Sequence, residues 1–223
     1  MTRNWRLERR RDHYYWRAKR EGYRSRAAYK LLEIHRKYRL FRPGLKVLDL
    51  GCSPGGWLQV AGSMVGPKGK VLGVDVKPIK PFKAGNISFL QHDVRSPELP
   101  GFALKELGGK VDLVLSDVSP NISGVWEVDH ARQMELAEAA YKTALETLKP
   151  RGCLLVKVFE GDLVEGFRKT LKKHFGRVRT VKPKASRSRS SEIYLLAEGF
   201  KAATNPPRTS GGTRAREDSG GTP

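Results

Sequence analysis

Cysteine is scarce in this chain: 223 residues contain two, Cys52 and Cys153, each next to a glycine. Two are too few for a disulfide framework, and their spacing suits no zinc site. Both are expected to be reduced, small packing residues. Long apolar runs are also missing, and none approaches the roughly 20 residues that a membrane span needs. The opening Met1-Thr2-Arg3-Asn4-Trp5-Arg6 lacks the apolar stretch of a signal peptide. These absences lead us to expect a cytoplasmic protein that enters no membrane. Acidic residues are few beside the basic ones. The 23 Asp and Glu face 43 Lys and Arg, for a formal charge of +20 and a pI near 10.2. A pI above about 9 with clustered cations points to a nucleic-acid partner. No internal repeat is present.

The cations that are there lie in two segments. Residues 1–46 hold 16 Lys and Arg against 4 acids, and residues 167–191 hold ten and no acid. Within residues 1–24, Trp5, Tyr14, Tyr15, Trp16 and Tyr23 are interleaved with Arg and Lys. Rings that stack on bases and guanidinium groups that hold phosphates suit single-stranded or looped RNA. An amphipathic arm packed on the body has the same composition, so both readings stand. We divide the chain into this basic aromatic arm (1–24), one α/β domain (25–200) and a tail (201–223). The tail is rich in Gly, Pro, Ser and Thr, without apolar periodicity, and is expected to be disordered.

Between arm and tail, strand and helix patterns alternate. Strands are expected at Lys46–Leu50, Lys70–Asp75, Ile87–Leu90, Val111–Ser116, Gly152–Phe159, Arg177–Val181 and Ile193–Ala197. Helices are expected over Arg26 to Tyr38 with Ser25 as cap, from Trp57, over Asp129 to Leu148, and over Leu163 to His174. Such alternation argues for an open α/β sheet.

The segment Asp49-Leu50-Gly51-Cys52-Ser53-Pro54-Gly55-Gly56-Trp57 follows the first strand and leads into a helix. Glycines at such a turn let the backbone approach a ligand, and the helix start offers unpaired N–H groups. Asp75, Asp93 and Asp117 close three further apolar strands, where an open α/β sheet forms its crevice. Asp75 lies 24 residues beyond Gly51, near the offset at which an acid meets a ribose hydroxyl. The loop is neither Gly-x-Gly-x-x-Gly nor a P-loop, which disfavours a pyrophosphate ligand and a nicotinamide oxidoreductase. Adenosine without phosphates fits better. S-adenosylmethionine is the natural candidate, since Asp49 and Asp117 suit a cationic sulfonium and amino group.

Four segments resemble one family, the FtsJ/RrmJ-type RNA ribose 2′-O-methyltransferases. They are Arg24–Leu31, Asp49–Trp57, Asp112–Asp117 with Pro120-Asn121, and Leu155–Gly161. Lys182–Tyr194 resembles that family's C-terminal motif, so the likeness runs from about residue 22 to 198. The resemblance implies a Rossmann-like S-adenosylmethionine-dependent fold with seven strands, the last antiparallel. It also implies a catalytic tetrad at Lys30, Asp117, Lys157 and Glu192. Donor-binding positions would be Gly55, Trp57, Asp75, Asp93 and Asp117. The compact ribosomal-RNA members are most alike, which makes a uridine of large-subunit ribosomal RNA the expected target, free or within the subunit. A monomer suffices for this.

Methylating a ribose hydroxyl requires in-line attack of oxygen on a sulfonium methyl. The donor is already activated, so no metal is expected. The enzyme must position the hydroxyl and accept its proton. Lys157, on an otherwise apolar strand, is assigned as proton acceptor. Lys30 supplies a like charge and orients the ribose or phosphate, while Asp117 and Glu192 aim the two amines. The alternatives are a tRNA or other RNA substrate, and a noncatalytic RNA-binding ribosome-assembly protein on the same fold. RNA is expected to cross the segments Arg9 to Arg26 and Arg168 to Arg189.

Overall fold

The computed structural model describes residues 12–187 and 190–202. The expected tail and the first eleven residues of the arm lie outside them, apart from Lys201 and Ala202. In chain order the elements are α1 (His13–Arg20), α2 (Ala27–Tyr38), β1 (Lys46–Leu50), α3 (Gly56–Val65), β2 (Lys70–Asp75) and β3 (Ile87–Gln91). There follow α4 (Leu99–Leu107), β4 (Val111–Ser116), α5 (Trp126–Thr147), β5 (Leu148–Phe159), α6 (Leu163–His174), β6 (Phe175–Val181) and β7 (Glu192–Phe200). The seven strands form one sheet in the order β3-β2-β1-β4-β5-β7-β6. Strands β1 to β5 pair in parallel, and β7 runs antiparallel to both β5 and β6. This is the expected seven-stranded Rossmann-like sheet. The strand order reverses between β1 and β4, so their carboxyl ends open a crevice at the switch point.

Alternating side chains sort the strands onto two cores. Leu48, Leu50, Val114, Leu154 and Val156 face α4, α5 and α6, against Ala103, Met134, Ala137 and Leu171. Val47, Leu113, Leu115, Leu155, Tyr194 and Leu196 face α2 and α3, against Leu31, Ile34 and Leu58. Lys157 follows Leu155 by two and pairs in register with Tyr194, which places it on the face covered by α2.

Several boundaries differ from expectation for identifiable reasons. Helix α5 begins at Trp126 rather than Asp129. Its first turn is exposed at Trp126 and Val128, so apolar periodicity does not reveal it. Asp129, inside the helix, ties down the preceding loop and does not cap the helix. Its carboxylate accepts from Ser123 N (2.8 Å), Ser123 Oγ (2.8 Å) and Gly124 N (3.0 Å). Ser25 makes no side-chain cap to α2. Its Oγ sits against Gly56, where a Cβ would approach it to 2.2 Å, so Gly56 is needed for packing. Helix α4 carries no expectation because Pro97, Pro100 and Gly101 disguise it. Proline is tolerated in a first helical turn, and Leu99, Ala103 and Leu107 still form a buried stripe. Strand β5 starts at Leu148 rather than Gly152, with a register shift against β4.

The described part of the arm packs on the body. Ala18, Tyr29 and Ala185 form a small buried cluster. Tyr29 Oη donates to Glu21 at 2.9 Å. Arg26 bonds Asp12 with one nitrogen and the Ala185 carbonyl with another, so the two basic segments meet at this residue. Glu33 seals the junction by accepting from Lys184 N (2.9 Å) and Ala185 N (3.2 Å).

Candidate active site

A cavity of about 610 Å3 opens at the switch point, lined among others by Gly51, Ser53, Asp75, Asp93, Asp117 and Asn121. That volume suits a small-molecule site. Gly51 has φ +74°, and a Cβ there would come within 2.7 Å of Val118. Only glycine lets the β1 and β4 loops approach this closely. Asp75 Oδ2 accepts from Ser53 N and Oδ1 from Lys77 N, each at 2.9 Å. Two backbone amides thus aim this carboxylate, each oxygen keeping a lone pair for ligand hydroxyls. Asp93 is forked by Arg95, Nη2 at 2.7 Å and Nε at 3.1 Å, and accepts Arg95 N at 2.9 Å. The Arg95 side chain, then its backbone amide, hold the Asp93 carboxyl below the usual range.

Gly55 and Trp57 do not line this cavity. Gly55 (φ +109°) closes the turn and precedes α3, against Phe82 and Arg24. Trp57 is buried, donates Nε1 to Ala27 O at 2.8 Å, and lies 5.7 Å from the Tyr194 ring. Arg24 is likewise spoken for. It donates to Lys80 O and to Pro81 O (2.8 Å) and stacks over Phe82 at 3.5 Å, pinning the loop after β2.

Beside the cavity the four expected tetrad residues converge. Asp117 belongs to both sites. Lys157 is buried, with Nζ donating to Asp117 O at 2.9 Å and Ser119 Oγ at 2.7 Å. Its carboxylate neighbours are Asp117 Oδ1 at 3.3 Å and Glu192 Oε2 at 3.9 Å. Lys30, on α2, donates to Glu192 Oε1. Tyr194 Oη donates to Asp117 Oδ1 at 2.8 Å and lies 3.2 Å from Glu192 Oε1. Four residues on three strands and α2, with a tyrosine among them, form one alternating chain of cations and anions. Burial pushes the Asp117 carboxyl upward, but Lys157, Lys30 and the hydroxyl of Tyr194 outweigh it and hold it below the usual range. Burial, then the charges of Asp117 and Glu192, push the Tyr194 phenol far up, so it stays a donor.

Three contributors escape a reading of the sequence. Tyr194 follows Glu192 by two on β7, so strand alternation signals their shared face. Ser119 and Gln133 give no such signal. Gln133 Nε2 donates to Lys157 O (3.0 Å) and Val118 O (3.2 Å), clamping α5 onto both catalytic strands. Asp49 is seen in the sequence, but its place is unexpected. It is fully buried, and burial, then Asp117 and Asp75, push its carboxyl well above the usual range.

A doubly wound sheet with a carboxylate-lined cavity at its switch point has the place where open α/β folds take small ligands, and a polar tetrad adjoins it. The FtsJ-like methyltransferase family matches residues 23–200, and the chain belongs to it. S-adenosylmethionine is therefore its methyl donor. A Coxiella burnetii protein, ribosomal RNA large subunit methyltransferase E, is 50% identical over 204 residues, covering 89% of this chain and 95% of the relative. The Methanocaldococcus jannaschii protein of the same name is 46% identical over 200 residues, covering 88% and 81%. A Plasmodium falciparum structure described as a ribosomal RNA methyltransferase superposes with TM-score 0.72 at 31% identity. It covers 80% of this chain and 98% of that one.

Proposed function

We propose that this enzyme methylates the ribose 2′-OH of a nucleotide, a uridine, in large-subunit ribosomal RNA, acting as a cytoplasmic monomer. The observation that carries the reaction is the environment of Lys157 Nζ. Asp117 O and Ser119 Oγ accept from it and Asp117 Oδ1 stands 3.3 Å away, so the amine is fixed beside a residue that lines the donor cavity. In the proposed reaction this amine receives the proton of the attacking hydroxyl. Lys30 and Glu192 orient the ribose from the α2 side, and Asp117 links the amine to the donor. Asp75 and Asp93 would accept from donor hydroxyls, while Gly55 and Trp57 support the turn whose Ser53 amide aims Asp75. When bound, S-adenosylmethionine supplies the activated methyl group. The ribosomal substrate is the one printed in the names of the relatives above, and the net charge of +20 suits it.

The test is transfer of tritium from labelled donor to large-subunit RNA and to intact subunits, followed by mass mapping of the modified nucleotide. A methyl group on ribose, absent with Lys157→Ala, is expected; a base-methylated product would overturn the ribose assignment. RNA affinity should fall steeply with salt, because bound cations release counterions from phosphates. A salt-insensitive complex would contradict docking along the basic segments.

A further inference from the structure

The loop after Asp117 and the first turn of α5 expose apolar side chains beside the tetrad. Ile122 is 64% exposed, Val125 53% and Trp126 44%. The tryptophan is not loose. Its ring lies nearly parallel to His130 (5.4 Å, 17°) and to Phe159 (6.3 Å, 26°), both of which are buried. The base of this stack is fixed on every side. Gly161 leaves room for the His130 ring, which a Cβ would meet at 2.7 Å. Leu163 N donates to His130 Nε2 at 3.4 Å. Asp129 holds the preceding loop through Ser123 and Gly124, so the stack and the loop are braced together.

Phe159 lies two residues beyond Lys157 on β5, about 7 Å along a strand. The loop that carries Trp126 also carries Ser119, which accepts from Lys157 Nζ. An aromatic ring stacked on two buried rings, and itself 44% exposed, therefore stands at the end of the loop that holds Lys157. Trp126 covers His130 and Phe159, yet it keeps that share of its surface in solvent. We propose that Trp126 is a nucleobase platform, on which a base of the RNA strand at or next to the methylated nucleotide stacks. This rests on the RNA reading above. A base turned onto Trp126 leaves its helix, which frees the ribose hydroxyl to turn toward Lys157. A base is favoured over a protein side chain because every base offers a π-face and the surface next to the patch is the catalytic one.

The test uses the full chain labelled with 5-fluorotryptophan. The Trp126 fluorine signal is identified by its disappearance in Trp126→Phe. Adding an RNA oligonucleotide that contains the target should move that signal, and the same RNA made abasic around the target should not. Base–aromatic stacking corresponds to roughly 5- to 150-fold in affinity. Trp126→Ala and Trp126→Leu should raise KM for RNA within that range, with donor affinity and melting temperature near wild type. Trp126→Phe should restore most of the loss. An unmoved signal, together with RNA affinity of Trp126→Leu within twofold of wild type, overturns the platform and leaves the patch to a protein partner. That result would leave methyl transfer by the wild type intact. Failure of the wild type to methylate RNA would instead refute the reaction, while the fluorine signal still reports on the platform.

Discussion

The donor cavity and the tetrad share Asp117, yet they are built on opposite principles. Cavity carboxylates such as Asp75 are part-exposed and aimed by backbone amides, with acceptor capacity left over. In the tetrad only Lys157 is buried, Lys30, Asp117 and Glu192 being largely covered, and each charge is answered by another. Binding calls for groups with capacity in reserve, whereas a reacting amine must be held still and out of water. Asp49 and Asp117 make the contrast sharpest: Asp49 is fully buried within β1, and Asp117 stands just past the neighbouring β4 and lines the cavity. Partners hold Asp117 charged, while Asp49 has no hydrogen-bond partner among the described residues and is driven toward its neutral form. Burial alone does not decide charge; the partners do.

The strongest way to break this division is Lys157→Ala. General-base loss should lower turnover by about 10²- to 10⁴-fold while donor affinity changes little. Single-turnover rates alongside calorimetric donor titration would show it, and near-normal turnover would remove Lys157 from the mechanism. Asp75→Ala should do the reverse, weakening donor binding by about tenfold, the scale of one charge-assisted hydrogen bond. A change in turnover at saturating donor would blur the two sites. Tyr194→Phe removes one hydroxyl between two carboxylates and should lower turnover by roughly 10-fold, since a hydrogen bond to a charged group is worth about 1.5–3 kcal/mol. The ring remains against Trp57, so packing is kept and Tm should fall only by that lost hydrogen bond, about 2–4 °C for each kcal/mol.

The smallest effect tests Asp49. Its folded-state pKa lies above the unfolded value, so its contribution favours folding at low pH. That contribution is lost as pH rises from the ordinary carboxylate range toward the raised value. Asn at position 49 does not titrate. Asp49→Asn should therefore gain on wild type as pH goes from 4 to 8, with about 2–4 °C in Tm for each kcal/mol at this size. Asp117 carries the opposite sign: its pairing stabilises above the ordinary carboxylate range and is lost as pH falls through its lowered value. Thermal melts from pH 8 down to below the ordinary carboxylate range check both signs, and a gain for Asp49→Asn only toward low pH would mean that Asp49 is charged and paired.

Much of this was legible in the residues. Strand alternation and helix periodicity place β1, β2, β4 and α6 nearly to the residue, because their side chains answer to one core face each. The donor acids stand out for the same reason, each ending an apolar run. Signals failed where a turn faces outward, as at Trp126, or where proline and glycine mask a short helix, as at Leu99–Leu107. Gln133 looks like any polar residue on an amphipathic helix until β5 presents a carbonyl to it.

The sequence by itself determined the sheet, the basic surface and which residue types could carry methyl transfer, since these follow from local pattern and composition. Tertiary structure alone decided their electrostatics. The antiparallel pairing of β7 with β5 brings Glu192 and Tyr194 beside Lys157, and α2 lays Lys30 over them, across 162 residues of chain. It also left Asp49 without a hydrogen-bond partner among the described residues, although both Asp49 and Asp117 simply adjoin apolar strand residues in the sequence. A charge in a folded protein is governed by what lies within a few ångströms through space, and the chain's order does not state those distances.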